Sequence, residues 1–213
     1  MLSNAQIIVD FKPVSPECGD LFRGRDVLAV ARRLERAGVL GLSVVTEERH
    51  FGGSLRLLRE IAEAVDLPVL RKDFIRSEDD LYETADCGAA GVLLIASMVE
   101  NIGRLYEKAL SIGLSPLVEV HTRTEMAVAE QLGARYIGIN NRDIGRLERD
   151  GGSVSLTAEL IGYTPKGAFV VSESGIRSRE DAGRAVGMGA HAVLVGTAFW
   201  LGDFEFIFEE NGL

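Results

Sequence analysis

The sequence repeats one pattern eight times, and this repetition restricts the fold more than any other feature. Each unit has a short β-branched apolar run followed by a longer stretch in which apolar residues recur three and four positions apart. The predicted strands are Gln6–Phe11, Gly41–Thr46, Pro68–Lys72, Gly91–Ile95, Pro116–Val120, Tyr136–Asn140, Ala168–Ser172 and Ala192–Val195. The predicted helices lie near Asp26–Ala37, Ser54–Val65, Glu78–Cys87, Glu100–Ile112, Thr124–Leu132, Ser155–Ile161, Arg179–Met188 and Phe204–Glu210. Strands that alternate with helices predict a parallel sheet covered by helices.

A count of eight units favours closure of this sheet into a barrel over an open doubly wound sheet. No dinucleotide-binding fingerprint follows the first strand, and the Gly-x-Gly stretch at 187–189 precedes a strand instead of following one. The one candidate linker, Gly145–Ser153, has the length of an ordinary loop between a strand and a helix. We therefore expect an α/β fold in which residues 1–213 form a single (β/α)8 TIM barrel domain.

Composition narrows the class of partner. The formal net charge of −9 argues against nucleic acid, because binding the phosphate backbone needs a basic surface. No apolar run reaches the length of a membrane span, and the N-terminal sequence MLSNAQIIVDF has no basic segment followed by a long apolar one. We expect a cytoplasmic protein that binds no membrane, in which Cys18 and Cys87 stay reduced.

Polar residues lie where the predicted strands end. Ionisable groups at the carboxyl ends of barrel strands are costly unless they serve a site on that face of the barrel. Two of the four lysines in the chain are found at such ends, which suggests that a titratable ammonium is needed there. The polar residues at these ends are Asp10, Lys12, Lys72, Glu119, Asn140 and Glu173.

The turns after the last two strands contain glycine. Ser174 and Gly175 follow the seventh strand, and Gly196 and Thr197 follow the eighth. Barrels often bind phosphate at these two positions through backbone N–H groups. The alternative is that the glycines only close tight turns. We favour a phosphate site.

Seven segments of the chain resemble the indole-3-glycerol phosphate synthase family, in order and with matching spacing. They are IIVDFKPVSP (7–16), LSVVTEERHFGGS (42–54), LPVLRKDFI (67–75), PLVEVHT (116–122), IGINNRDI (137–144), SESGI (172–176) and VLVGTAF (193–199). The resemblance implies ring closure of 1-(2-carboxyphenylamino)-1-deoxyribulose 5-phosphate to indole-3-glycerol phosphate, with loss of carbon dioxide and water, in tryptophan biosynthesis. It implies a phosphorylated small-molecule substrate and neither a cofactor nor a metal.

The resemblance also implies a role for each matching residue. Lys72 resembles the general acid of the family, Glu119 its general base, and Lys12 the lysine that contacts the substrate carboxylate. The polar ring around the substrate corresponds to Asn140, Glu173 and Ser174. The phosphate-binding residues correspond to Ser15, Gly175, Gly196 and Thr197. The slot for the aromatic ring corresponds to Phe51, Phe74, Leu94 and Pro16, although the same residues would also suit an ordinary apolar core.

The chain departs from the family pattern in three places that bear on activity. Pro13 and Val14 follow Lys12, where the family usually has basic or small residues. Asp10 stands where the family has glutamate, so that its carboxylate is one methylene shorter. The first strand begins almost at Met1, where the family has a further segment that covers the site, and another loop, a partner or an oligomer contact would have to replace that cover. One alternative is therefore a catalytically weak barrel that binds a phosphorylated ligand.

A second alternative is an enzyme like phosphoribosylanthranilate isomerase. It would need a cysteine base and an aspartate acid at strand ends, whereas Cys18 lies in the loop beyond the first strand. Lys72 and Glu119 would then have no task. His121 follows Glu119 by two positions, and the sequence alone gives it no role.

Overall fold

The computed structural model describes residues 2–142 and 153–209, and its main feature is a closed parallel barrel of eight strands. The barrel strands are β1 (Ile7–Phe11), β4 (Gly41–Val45), β5 (Val69–Lys72), β6 (Gly91–Ile95), β7 (Ser115–Val120), β8 (Tyr136–Asn140), β9 (Phe169–Glu173) and β10 (Ala192–Val195). Two short strands, β2 (Val14–Ser15) and β3 (Gly19–Asp20), pair antiparallel in the loop after β1. The barrel closes where β1 pairs with β10.

Helices follow the barrel strands in chain order. They are α1 (Val27–Arg36), α2 (Glu48–Phe51), α3 (Leu55–Ala64), α4 (Glu78–Asp86), α5 (Ile102–Ser111), α6 (Arg123–Gln131), α7 (Ser155–Leu160), α8 (Arg179–Gly187), α9 (Thr197–Leu201) and α10 (Phe206–Glu209). Several of these helices have a short polar side chain as the N-cap. The Ser77 hydroxyl accepts the Asp80 N–H at α4, and Thr122 does the same for Glu125 at α6. Such caps satisfy backbone donors that the first helical turn leaves open.

The barrel strands bury both faces, and successive side chains divide between two apolar layers. In β6, Leu93 and Ile95 pack inside the barrel with Leu117 and Leu194. Leu94 lies in the other layer, between the strands and the surrounding helices. This alternation follows from the two-residue period of a strand. It brings every second residue of each strand into the barrel interior and, at the carboxyl ends, to the mouth.

The predicted (β/α)8 barrel is confirmed, with strand boundaries within one residue of those expected. The hairpin of β2 and β3 and the short helices α2 and α9 were not predicted. The predicted loop 145–153 lies outside the described residues except for Ser153, as does the final residue of the last predicted helix. Cys18 is exposed and Cys87 is buried, and both are free thiols. No helix within 2–142 and 153–209 has the length and apolarity to cross a membrane.

Candidate active site

A cavity of about 310 Å³ opens at the carboxyl ends of the barrel strands. Its apolar wall includes the inward-facing side chains Leu93, Ile95 and Leu194 together with two aromatic residues, Phe51 and Phe74. The charged residues that line it, and that the strand ends predicted, are Asp10, Lys12 and Lys72. The cavity therefore combines a flat apolar region with cations and a carboxylate, which suits a ligand with an aromatic ring and anionic groups.

Lys72 and Glu119 form an ion pair at the base of this cavity. Lys72 ends β5 and Glu119 lies in β7, and the two side chains reach across the intervening strand β6 inside the barrel. The Lys72 Nζ atom lies 3.8 Å from Glu119 Oε2, with the lysine side chain 22% exposed and the glutamate side chain 1% exposed. A carboxylate buried to this extent is stabilised by the nearby ammonium. The pair places a proton donor and a proton acceptor together, with the donor facing the ligand cavity.

Glu173 brings a second carboxyl group to the same place. It ends β9, is wholly buried, and faces Glu119. Burial, together with the negative charge of Glu119, raises the pKa of Glu173 from 4.5 to about 8, although the Lys72 ammonium opposes the shift. At neutral pH, Glu173 therefore carries a proton and can donate a hydrogen bond, whereas an ionised carboxylate can only accept one.

Gly138 in β8 makes room for the Glu173 carboxyl group. A Cβ atom at position 138 would overlap Glu173 Oε1 and would lie 3.0 Å from Glu173 Cδ. The glycine of the IGIN segment therefore lies where the Glu173 side chain, from the neighbouring strand β9, crosses β8. The glycine is required by this close approach, since any side chain would displace the carboxyl group.

The raised pKa of Glu173 predicts how stability depends on pH. Between pH 4.5 and about 8 the folded state holds a proton on Glu173 that the unfolded chain releases. The free energy of unfolding therefore falls as pH rises through this window. We expect Glu173→Gln to remove this contribution, so that the melting temperature of the variant decreases less between pH 5 and pH 9 than that of the wild type. Thermal unfolding of both proteins across this range measures it, and parallel curves would contradict the assignment.

Asp10 and Lys12 lie on β1 and just after it, beside the Lys72–Glu119 pair. The Ser43 hydroxyl donates to Asp10 Oδ1 at 2.6 Å, and the Trp200 indole N–H donates to the Asp10 carbonyl oxygen at 2.8 Å. Lys12 Nζ lies 5.6 Å from the centroid of the Phe51 ring. These contacts fix the end of β1 and hold the Lys12 ammonium at the aromatic side of the cavity.

The opposite side of the cavity is formed by the two glycine turns. Ser174, Gly175, Gly196 and Thr197 all line it. Ser174 and Gly175 have positive φ values of 62° and 69°, and the backbone of Ser153 approaches so closely that a Cβ atom on Gly175 would lie 2.6 Å from the Ser153 oxygen. The first turn of α9 at Thr197 has no side-chain cap. Both glycine turns therefore border the cavity.

A buried arginine on the outer face of β5 fixes the segment that follows Lys72. Arg71 Nε donates to Thr46 Oγ1 at 2.9 Å, Nη1 to the Asp80 carbonyl oxygen at 2.8 Å and Nη2 to Asp73 Oδ2 at 3.2 Å. Arg71 was not among the predicted site residues. It ties β5 to β4 and α4, and because Asp73 and the next residue line the cavity, it also positions one wall of the site.

Six of the predicted site residues do not line the cavity: Ser15, Pro16, Leu94, Glu119, Asn140 and Glu173. The prediction for Leu94 is wrong, because strand alternation turns it outward and places Leu93 and Ile95 inside. The Ser15 hydroxyl accepts the backbone N–H groups of Glu17 and Cys18 within its own loop. Pro16, in that same loop, is also absent from the lining.

The remaining predicted residue, Asn140, is buried at the end of β8, where its side-chain oxygen accepts the Arg142 N–H at 3.1 Å. Several cavity residues were missed by the sequence analysis: Glu47, Asp73, Arg142, Arg177, Leu201 and Asp203. Asp73 and Arg142 directly follow strand ends and could have been found from that position. The others lie in loops and short helices whose course the strand pattern does not specify.

The fold and the cavity together define a (β/α)8-barrel enzyme with ionisable side chains at the carboxyl ends of the strands. A family model described as indole-3-glycerol phosphate synthase matches residues 2–203. The chain belongs to this family, whose members are carboxy-lyases of tryptophan biosynthesis.

Individual relatives belong to the same family. The chain is 47% identical to an indole-3-glycerol phosphate synthase of Thermococcus kodakarensis, over 90% of this chain and 85% of the relative. It is 45% identical to one of Pyrococcus abyssi, over 90% and 84% of the two chains. Among solved structures, an N-acetylmannosamine-6-phosphate 2-epimerase from Clostridium perfringens superposes with a TM-score of 0.72 over 91% of this chain and 87% of the other. At 18% identity, this last likeness concerns the fold alone.

Proposed function

We propose that this chain closes the indole ring of 1-(2-carboxyphenylamino)-1-deoxyribulose 5-phosphate, releasing carbon dioxide and water, with Lys72 as general acid and Glu119 as general base. The observation that supports it most directly is the Lys72–Glu119 pair, with its Nζ–Oε2 distance of 3.8 Å, at the base of a cavity that joins an apolar region to two glycine turns. We further propose that the enzyme acts in the cytoplasm and uses neither a cofactor nor a metal.

The first chemical step needs a proton on the ketone oxygen of the substrate. In the proposed mechanism the Lys72 ammonium donates this proton while the ring carbon that bears the carboxylate attacks the carbonyl carbon. Lys12, held near the Phe51 ring, binds the substrate carboxylate and keeps it beside the reacting carbon. Carbon dioxide then leaves, and its bonding electrons restore the electron system of the ring.

The second step removes the former ketone oxygen as water. Glu119 takes a proton from the carbon next to nitrogen, and the hydroxyl group leaves after it receives a further proton. Glu173 and Asn140 are proposed to orient the sugar hydroxyls, with Glu173 able to donate a hydrogen bond because it is protonated at neutral pH. Asp10 is proposed to hold the lysine ammonium groups, at the slightly greater distance that its shorter side chain imposes.

The two ends of the substrate match the two sides of the cavity. The phosphate is proposed to bind at Ser174, Gly175, Gly196 and Thr197, where the backbone N–H groups of the two glycine turns can bind an anion. The aromatic ring is proposed to lie between Phe51 and Phe74, against the apolar wall that includes Leu93. This placement puts the reacting carbons over the Lys72 ammonium.

The test is turnover of the substrate itself. We expect the wild-type protein to generate indole fluorescence when 1-(2-carboxyphenylamino)-1-deoxyribulose 5-phosphate is added, and Glu119→Gln to do so at least about 100-fold more slowly, which is the usual loss on removal of a general base. A binding-only barrel would show saturable phosphate-ligand binding and no fluorescence increase. That outcome, or equal rates for the two proteins, would contradict the proposal.

A further inference from the structure

The imidazole ring of His121 lies between two carboxylates. His121 follows β7 and faces the same side of the strand as Glu119. Its Nε2 atom lies 3.6 Å from Glu119 Oε1, and its Nδ1 atom lies 3.4 Å from Glu125 Oε2. The side chains of His121 and Glu125 are 16% and 17% exposed, whereas that of Glu119 is 1% exposed. The three groups thus form a path from the surface to the proposed general base.

The imidazole ring faces the Glu119 carboxylate at slightly more than hydrogen-bond distance, with Oε1 as the oxygen nearest to Nε2. Within the described part of the chain, His121 Nε2 is buried and has no hydrogen-bond partner. The other oxygen of the carboxylate, Glu119 Oε2, lies 3.8 Å from Lys72 Nζ. Buried polar atoms are nearly always paired, so an exception calls for an explanation. A proton shared between the imidazole and the carboxylate after a shift of about 0.5 Å would satisfy Nε2 within ordinary hydrogen-bond distance.

Helix capping explains only part of this arrangement. Glu125 Oε2 accepts the His121 backbone N–H at 2.6 Å, and the Glu125 N–H donates to Thr122 Oγ1 at 3.1 Å. These bonds begin α6 and fix the Glu125 carboxylate. They do not involve the imidazole ring, whose direction toward Glu119 therefore has to be explained separately.

The proposed reaction consumes one proton from solvent in each turnover. The ketone oxygen leaves as water and gains two protons, while dehydration releases one proton from the carbon next to nitrogen. The substrate carboxylate leaves as neutral carbon dioxide and supplies none. Glu119 can return its one proton to Lys72 across 3.8 Å, but the second proton must come from outside. The Lys72–Glu119 pair therefore needs a route for solvent protons that stays available when substrate fills the cavity in front of Lys72.

We infer that His121 and Glu125 form this route, with His121 as a positioning and proton-relay residue for Glu119. A proton from solvent reaches the Glu125 carboxylate and passes to His121 Nδ1, the Nε2 proton passes to Glu119 Oε1, and Glu119 returns a proton to Lys72. Only N–H and O–H bonds form and break, and a turn of the ring restores its first state. Beyond Glu119, the relay faces the protonated Glu173.

This inference rests on the proposed function and is tested by turnover of the same substrate. His121→Ala is expected to lower kcat about tenfold, below the loss from removing the base itself, and to leave KM within about twofold. The loss should grow as pH rises, because solvent protons become scarce. Added imidazole should restore kcat in a concentration-dependent way, because it refills the space of the missing ring. A merely structural role for His121 would give no such rescue.

Glu125→Gln separates proton transfer from helix capping. Its side-chain oxygen can still accept the His121 N–H and begin α6, but its amide cannot carry a proton, so we expect kcat to fall with no change in melting temperature. Glu130→Gln, on the same helix, is the matched control with wild-type kcat. If the wild type is active and kcat is unchanged in both His121→Ala and Glu125→Gln, the relay is overturned and the proposed function is not. A loss that imidazole does not restore and that is equal at every pH also overturns it. A wild type without turnover overturns the proposed function and, with it, the relay.

Discussion

Lys72→Ala is expected to lower kcat/KM for ring closure about a thousandfold. Lys72 is the proton donor whose ammonium faces the cavity next to a buried carboxylate, and loss of a general acid typically costs 10²- to 10⁴-fold. The variant also leaves Glu119 buried without its cation, so the melting temperature should fall. Initial rates of indole formation and thermal unfolding measure the two effects.

Lys72→Arg separates charge from proton donation. Arginine keeps the positive charge beside Glu119 but does not release a proton at neutral pH, so we expect stability close to that of the wild type and activity close to that of the alanine variant. Lys166→Ala is the control, because this lysine is exposed in the turn before β9. An arginine variant with wild-type activity would show that position 72 supplies only charge.

Gly138→Ala is expected to damage the site by displacing Glu173. The added Cβ atom would overlap Glu173 Oε1, and the Glu173 side chain is wholly buried. Overpacking of this kind costs about 1–3 kcal/mol in the free energy of unfolding. Since the displaced carboxyl group neighbours Glu119, we also expect kcat to fall about 100-fold, the effect of a misplacement of roughly 1 Å in a catalytic site.

A matched control and a compensating variant make this prediction specific. Gly183→Ala lies inside α8 with nothing within 4 Å of the new Cβ atom, so it should leave activity unchanged and stability equal or slightly higher. Gly138→Ala combined with Glu173→Ala removes the overlap and should recover stability without recovering activity. If the double variant is as unstable as Gly138→Ala alone, the overlap with Glu173 is not the cause.

The barrel could be predicted from the sequence because each strand carries its own signal. The runs Gly91–Ile95 and Ala192–Val195 are continuously apolar, as is typical of strands buried on both faces. The hairpin of β2 and β3 has two residues in each strand, which is too short for a periodic pattern. It depends on the contacts of the loop with its surroundings, which the loop sequence alone does not contain.

Lys72 and Glu119 could be predicted from their positions at the ends of strands. Lys72 and Glu119 were singled out as charged residues at strand ends, and closure of the barrel brings them within ion-pair distance. Leu94 was assigned to the wrong face because an unbroken apolar run gives no sign of which residues point inward. The register of β6 with β7 decides this, since Ile95 pairs with the inward-facing Glu119.

The raised pKa of Glu173 and the room beside Gly138 could not be predicted from a single strand. Both depend on the distance between side chains of different strands, which the sequence of each strand alone does not contain. The surroundings of the His121 ring could not be predicted either, because its two carboxylate neighbours come from β7 and from α6.

The central claim is that this barrel couples ring closure to loss of the substrate carboxylate, and product stoichiometry tests it most directly. Wild-type protein would be given substrate labelled with ¹³C in the carboxyl group, and labelled carbon dioxide and indole-3-glycerol phosphate would both be measured against substrate consumed. We predict one molecule of each product per molecule of substrate. A product that retains the labelled carboxylate, or no conversion above that of Lys72→Ala, would contradict the account.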